Sequence, residues 1–303
     1  MRQESGVRSW EGCVLEIRPA SHPSPLPTPN YLAHSPPRDY PPSVPSRPTA
    51  LRLALAATSA LLMLFIVGPL VRLVLEAGPM SLGTAFGDPE VRSSIFLTLF
   101  CATAATAFGA LLGLPLAWAL ARRKFPGRRL VQGLVDLPVV VPHPVAGIAL
   151  LLFLGRRSLI GGTLAEMGLE IVNHAGGIIA AMAFVSIPIL VSGAREAFAG
   201  VDPRLERVAR SLGDTPATAF RRVTLPLAGR GIVAAALLAW ARAVSEFGAV
   251  VVLTYNPKVA SVLIFDRFTT DGLGGALPAA LALLLVALAV FLVVRLLQPK
   301  ETR

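Results

Sequence analysis

Long apolar runs separated by short polar clusters dominate this chain, and the length of those runs is its first signal. Six of them, at residues 53–71, 93–121, 137–155, 175–194, 231–253 and 272–294, approach or exceed the roughly 20 residues a helix needs to cross a bilayer core. Only helices or closed barrels satisfy their backbone polar groups in lipid, and runs of this length predict helices. The predicted fold class is therefore an all-α integral membrane protein with six transmembrane helices.

Two of these runs are interrupted. The third starts at Asp136 and carries Pro138, Pro142 and Pro144 in its first half, with His143 between the last two. An interior proline removes an amide donor and clashes with the carbonyl four residues back, so this helix must bend or open. The freed carbonyls need protein or water, which places the stretch inside the bundle or beside a water-filled path. His143 there either satisfies one such carbonyl or meets a passing anion. The fifth run holds Arg242 and Glu246, four residues apart and so on one helix face. Charges at bilayer depth cost a few kcal/mol even on insertion scales. The two are therefore expected to face the interior or a dimer seam, either as a neutralised structural pair or as an anion-path charge and a gate.

Composition agrees with a membrane protein. Apolar residues make up 54% of the 303, charged residues 15%, and the mean hydropathy is +0.65, too apolar for a soluble domain of this size. The net charge of +10 does not imply a nucleic-acid partner, because its distribution follows alternate loops. Arg122, Arg123, Lys124, Arg128 and Arg129 follow the second run, seven arginines lie between residues 195 and 230, and Arg295, Lys300 and Arg303 follow the sixth. The opposite loops hold only Arg72 and Arg92, then Arg156 and Arg157, then Lys258 and Arg267. The positive-inside rule then puts both termini and the 195–227 loop in the cytoplasm of a multi-pass protein of the cytoplasmic (inner) membrane.

Residues 1–50 hold 11 of the 26 prolines among Ser, Thr and Arg, a composition that cannot build a core, and read as a disordered cytoplasmic tail ahead of a membrane domain at 51–303. The tail lacks the order of a signal peptide. Cys13 and Cys101 are too few and too far apart in kind for a disulfide framework, and the four histidines lack zinc-type spacing, so no metal site and no catalytic residue is assigned. There is no Gly-x-x-x-x-Gly-Lys-Ser/Thr loop for ATP, so any energy must come from a partner.

The most specific segment is residues 205–226, LERVARSLGDTPATAFRRVTLP. Leu205, Val208, Ala209 and Leu212 recur at i, i+3, i+4 and i+7 as one apolar stripe, with Glu206, Arg207 and Arg210 off it. Gly213 stands where a left-handed cap belongs. Asp214 or Thr215 with Pro216 restarts a second short helix, and Leu225-Pro226 is expected to end the unit. This helix-turn-helix resembles the Glu-Ala-Ala loop of binding-protein-dependent ABC importer permeases: Glu-Ala-Ala, three residues, Gly, nine residues, Ile-x-Leu-Pro. Gly213, nine residues and Val223-Thr224-Leu225-Pro226 meet the long spacing. At the front Ala209 matches, but Arg207 and Val208 stand at the motif's Glu and first Ala, and Glu206 lies one place early.

The resemblance narrows further. LPVVVPHPVAGIALL at 137–151 and ARAVSEFGAVVVLTYNPKVASVLIFDRFT at 241–269 are similar to the molybdate/tungstate permease branch, near the sulfate permeases. It implies a type I ABC importer permease (MetI-like) fold that translocates an oxyanion. The implied partners are a second copy of the chain, an extracytoplasmic oxyanion-binding protein and ABC ATPase subunits that carry the ATP-Mg, no cofactor being held here. ATPase contact then falls on Leu205, Glu206, Arg207, Ala209, Leu212, Gly213, Leu225 and Pro226, and the path or gate on Pro142, His143, Arg242 and Glu246. Sulfate import is the near alternative. An ion-coupled secondary transporter, using Asp136, His143 and Glu246, is the alternative of another class.

Overall fold

The computed structural model describes residues 50–78 and 80–297, so all of the proline-rich tail except Ala50 lies outside the described residues. The chain divides into two units, residues 1–59 and 60–303. Apart from the opening of the first helix, every described element belongs to the second unit, and each is helical.

Within helix α1 (Ala50–Ala77), none of the residues 60–77 is buried; Phe65, for example, is 77% exposed. An apolar surface of that extent requires lipid or a protein partner. The short α2 (Met80–Gly87) leads into α3 (Pro89–Arg122), which begins cleanly because the Asp88 carboxylate accepts from Glu90 N–H at 2.8 Å and Pro89 occupies the first turn. After α4 (Arg128–Val140), α5 (His143–Leu154) and α6 (Leu159–Glu166) comes α7 (Ala175–Ala199), which packs against both α3 and the later α10 (Leu225–Val244). The buried face of α3 is built of small residues, Ala102, Ala105, Gly109, Gly113 and Ala117, so the helix axes approach closely. A Cβ at Gly193 of α7 would lie 2.6 Å from the Ala235 Cβ of α10. Contact at that range is what holds apolar helices together in lipid, where no hydrophobic driving force separates helix from solvent.

Among the described residues five helices are long and apolar enough to span a bilayer, and six spans result if a bent pair counts as one. That pair corrects the expected third span. Residues 137–155 are not one bent helix but the end of α4 and all of α5, turned by 114° across Val141 and Pro142. Pro142, Pro144 and the N–H they lack make a fresh start cheaper than a kink, with Pro142 as the residue before α5 and Pro144 in its first turn. The fifth span is also corrected. The α10 helix ends at Val244 and a separate α11 (Gly248–Leu253) follows, because the Glu246 carboxylate accepts from Ala249 N–H at 2.8 Å and so caps a new helix instead of continuing the old one. Finally α12 (Ala260–Leu297) is broken at Gly272 (φ 69°), where the sixth apolar run begins. Its first N–H, on Ala260, donates to the fully buried Thr98 Oγ1 at 2.8 Å.

The α5–α11 crossing is the tightest place where the broken span meets the core: a Cβ at Gly147 would lie 2.8 Å from both Ala249 O and Val252 Cβ. Gly147→Val is expected to destabilise the detergent-solubilised protein by about 1–3 kcal/mol through overpacking. A thermal midpoint unchanged from the parent's would refute close packing at this crossing.

Candidate functional site

Three groups of residues carry polar chemistry, one at mid-depth, one at the end of α3 marked by Arg122 and one at its opposite end. The first assembles at the break in the third span. His143 opens α5, Arg242 lies in the last turn of α10, and Glu246 precedes α11, so three elements meet in three side chains. Arg242 Nη2 donates to Glu246 Oε2 at 2.8 Å and to His143 Nε2 at 2.6 Å. Arginine has only donors, so Nε2 is the acceptor and the imidazole is neutral with its proton on Nδ1. That Nδ1 is buried with no hydrogen-bond partner. Glu246 is fully buried, its other oxygen taken by Ala249 N–H, and Ser261 Oγ donates to its backbone carbonyl at 2.9 Å. Depth follows from a neighbour: Trp240 Nε1 donates to Thr103 Oγ1 at 3.0 Å, and Thr103 lies near the middle of α3.

The expected pairing of Arg242 with Glu246 is thus present, although Glu246 lies past the helix end. The expectation that His143 satisfies a carbonyl is corrected: its ring meets Arg242. No periodicity in the sequence links positions 143 and 242, and only the chain reversal through α7 brings them together. Asp136, at the far side of the break, accepts from Ser192 of α7 at 3.1 Å. Pro142 is exposed.

The second group is the helix-turn-helix. Helix α8 (Pro203–Ser211) is capped by Asp202, whose carboxylate accepts from Arg204 N–H at 2.8 Å. Its stripe is unpartnered at its three large residues: Leu205 and Val208 are exposed and Leu212 is 83% exposed, while Ala209 is half-buried. Gly213 has φ 100°, and Thr215, not Asp214, caps α9 (Pro216–Ala219) by accepting from Thr218 N–H. Asp214 instead pairs with Arg222 at 3.2 Å. Glu206 turns toward the buried Thr224 and accepts from its hydroxyl, whereas Arg207 is exposed. The shifted motif is thereby resolved in space, since of the two only Arg207 is presented outward.

Leu225-Pro226 does not end this unit. Residues 220–224 form one wide turn in which Leu225 N–H bonds Phe220 O five residues back, and α10 continues from it. Pro226, lacking a donor, sits just past that turn, where the altered ladder accommodates it. Residues 216–244 make one run of 29 residues from the second short helix of this unit to the Arg242 cluster.

A third group gave no sequence signal. At the opposite end of α3, Arg267 bonds Asp88 at 2.6 Å and Glu90 at 2.9 Å, Lys258 bonds Asp266 at 2.6 Å, and Tyr255 donates to Asp266. The Arg267 hydrogen bond holds Asp88 below the usual carboxylate range, and the bond to Asp266 raises Lys258. The two Arg267 bonds join residues 179 and 177 positions apart, which no local pattern reveals.

An amphipathic helix with an unpartnered stripe, joined by a short turn to a 29-residue run, stands in one chain with a proline-broken span and a buried ion pair, the arrangement of a membrane-spanning transport subunit. Residues 109–303 match the family described as the binding-protein-dependent transport system inner membrane component, and the chain belongs to that family. It is 41% identical over 247 residues to the molybdate/tungstate transport system permease protein WtpB of Pyrococcus furiosus, covering 81% of this chain and 94% of that one. It is 31% identical over 258 residues to the sulfate transport system permease protein CysT of Salmonella typhimurium, covering 83% and 93%. In fold it matches a bacterial ABC transporter that imports the polysaccharide alginate (TM-score 0.67, 19% identity, 84% of this chain and 96% of that one) and the MetNI methionine transporter (TM-score 0.53, 18% identity, 68% and 91%). The chain is a multi-pass transport subunit, and the ion-coupled alternative is set aside.

The pair at mid-depth makes a prediction. Arg242→Leu or Glu246→Leu alone strands a charge, which typically costs about 3–5 kcal/mol, and each is expected to lower the yield of folded protein in membranes. The double change is expected to recover most of that yield, as read by size-exclusion chromatography. Singles that fold as well as the parent would show the pair to be dispensable.

Proposed function

We propose that two copies of this chain form the path by which an oxyanion, molybdate or tungstate, crosses the cytoplasmic (inner) membrane. An extracytoplasmic binding protein delivers the anion, and ABC ATPase subunits carrying ATP-Mg drive the cycle. The observation that carries the substrate assignment is the 41% identity to a molybdate/tungstate permease along 94% of its length. Sulfate is the second reading, favoured by the CysT similarity.

In this reading the exposed Leu205, Val208 and Leu212 stripe with Arg207 docks on the ATPase, held at its angle by Gly213 and by the Glu206–Thr224 contact. ATPase closure moves the stripe, and the 216–244 run carries that movement to Arg242. There Arg242 acts as a latch between α5 and α11. When it opens, the Arg242 guanidinium and the His143 Nδ1–H, now without a partner, face the path as donors for an oxyanion. The site is net neutral while Glu246 is in place, which suits passage over retention. An apolar trough of about 580 Å³ between α10 and α12, reaching Val244, supports a seam with the second copy. The loop charges support cytoplasmic termini.

Uptake into proteoliposomes holding the chain with its ATPase and binding protein tests the substrate. ATP-dependent molybdate entry, competed by tungstate and not by equal sulfate, is expected; the reverse order of competition assigns sulfate. Gly213→Val in the same preparation is expected to lower anion imported per ATP severalfold while leaving membrane insertion intact. Nothing lies within 4 Å of a Cβ there, so the strain is in the backbone alone, about 1–2 kcal/mol. Normal coupling in that variant would remove Gly213 from the transmission.

Orientation has its own check. In a chain with Cys13 and Cys101 replaced by alanine, a membrane-impermeant thiol reagent applied to intact cells is expected to label Asn256→Cys and not Arg207→Cys. Labelling of position 207 from outside inverts the topology.

A further inference from the structure

One large groove lies behind the exposed stripe of α8 and away from the Arg242 cluster, sharing only Glu206 and Leu225 with the residues assigned to ATPase contact. Ala107, Leu111, Leu114 and Trp118 of α3 recur at i, i+4, i+7 and i+11, a single stripe, and they floor a cleft of about 1060 Å³ whose other wall includes Phe220 and Leu225. From Ala107 to Trp118 the stripe rises about 16 Å, close to half of the roughly 30 Å hydrocarbon core and so to the depth of one leaflet.

The cleft is apolar along that length and charged at one end. Arg123 and Arg210 line its mouth, neither with an acidic partner among the described residues, and Arg123 Cζ lies 5.4 Å from the centroid of the Trp118 ring. Glu206 also lines it, but its carboxylate accepts the Thr224 hydroxyl. The mouth therefore carries a net charge of about +1, and the adjacent Arg122 adds to it, with Nε and Nη2 buried and unpartnered.

An elongated apolar slot one leaflet deep, ending in arginines beside an indole at the basic end of a span, has the length and charge complement of one molecule. We propose that this groove seats a single anionic phospholipid, its acyl chain against Ala107, Leu111 and Leu114 and its phosphate between Arg123 and Arg210. Because Arg123 ends α3 and Arg210 belongs to α8, the headgroup ties the coupling helix to the core. The assignment depends on neither the transported anion nor the orientation.

The test uses the full chain in lipid vesicles with Trp10→Phe and Trp240→Phe, which leave Trp118 as the sole tryptophan. Its fluorescence is quenched by brominated lipids in contact with it. Brominated phosphatidylglycerol is expected to reach half-maximal quenching at a mole fraction roughly fivefold lower than brominated phosphatidylcholine, the factor one net basic residue near a headgroup supplies. Arg123→Gln with Arg210→Gln is expected to erase the preference and leave the quenching, whereas Ala107→Phe, which fills the slot, is expected to weaken both. Equal quenching of the parent by the two lipids overturns the proposal. So does no quenching by either, which would mean that protein, a second copy or an ATPase, covers the groove. A phosphatidylglycerol preference surviving in Ala107→Phe would also overturn it, by placing the lipid elsewhere.

Discussion

A guanidinium at mid-depth of an apolar bundle has to be answered by other groups; Arg242 Nη1 donates to Ser245, and Nη2 is answered twice. One proton of its Nη2 goes to Glu246, on its own strand of chain, and the other to His143, 99 residues away. With the charge cancelled, the cost of holding it out of water falls from that of an isolated ion to that of a hydrogen-bonded pair. The same contacts decide local structure: Glu246 caps α11 and so ends α10, and His143 opens α5 and so fixes where the broken span turns. Removing that one side chain would leave three helix ends without their common point.

In the proposed cycle the rest of the molecule brings movement to that point. Helices α3, α7 and α10 meet through alanine and glycine, where bulkier residues would hold them apart, so displacement of one is felt by the others through backbone-range contact. The coupling unit is not a separate appendage. Thr224, which grips Glu206, belongs to the wide turn from which α10 rises, and α10 ends at the Arg242 cluster. The proposed docking surface, transmission and latch arginine lie on one stretch of backbone, residues 205–242.

The far end of the bundle is held by a different force. Asp88 both caps α3 and receives Arg267, so one carboxylate begins a helix and fastens it to α12. These ion pairs sit at helix ends, where polar groups find water, and small-residue packing takes over in between. Among the described residues the ionic contact between the two ends is Arg242–Glu246, the one the proposed gate uses.

Length and apolar content fix the class of solvent, and with it the helical fold, because lipid leaves the backbone no other way to satisfy its hydrogen bonds. The coupling helix, its stripe and its glycine cap were equally legible, since i to i+4 spacing and positive φ are local properties. So was the Arg242–Glu246 pair, four residues apart. What tertiary structure decided was every choice between alternatives that local rules leave equal. Prolines at 138, 142 and 144 announce that a helix fails but not whether it kinks or restarts, which depends on what receives His143. Leu225-Pro226 looks like a terminus until the wide turn before it lets the helix run on. Glu206 and Arg207 are neighbours of similar reach, and only the buried Thr224 hydroxyl, 18 residues downstream, turns one of them inward. Contacts between residues distant in sequence carry no signature in either partner alone, and the latch, the lipid-length groove and the ionic clasp at the far end are made of such contacts.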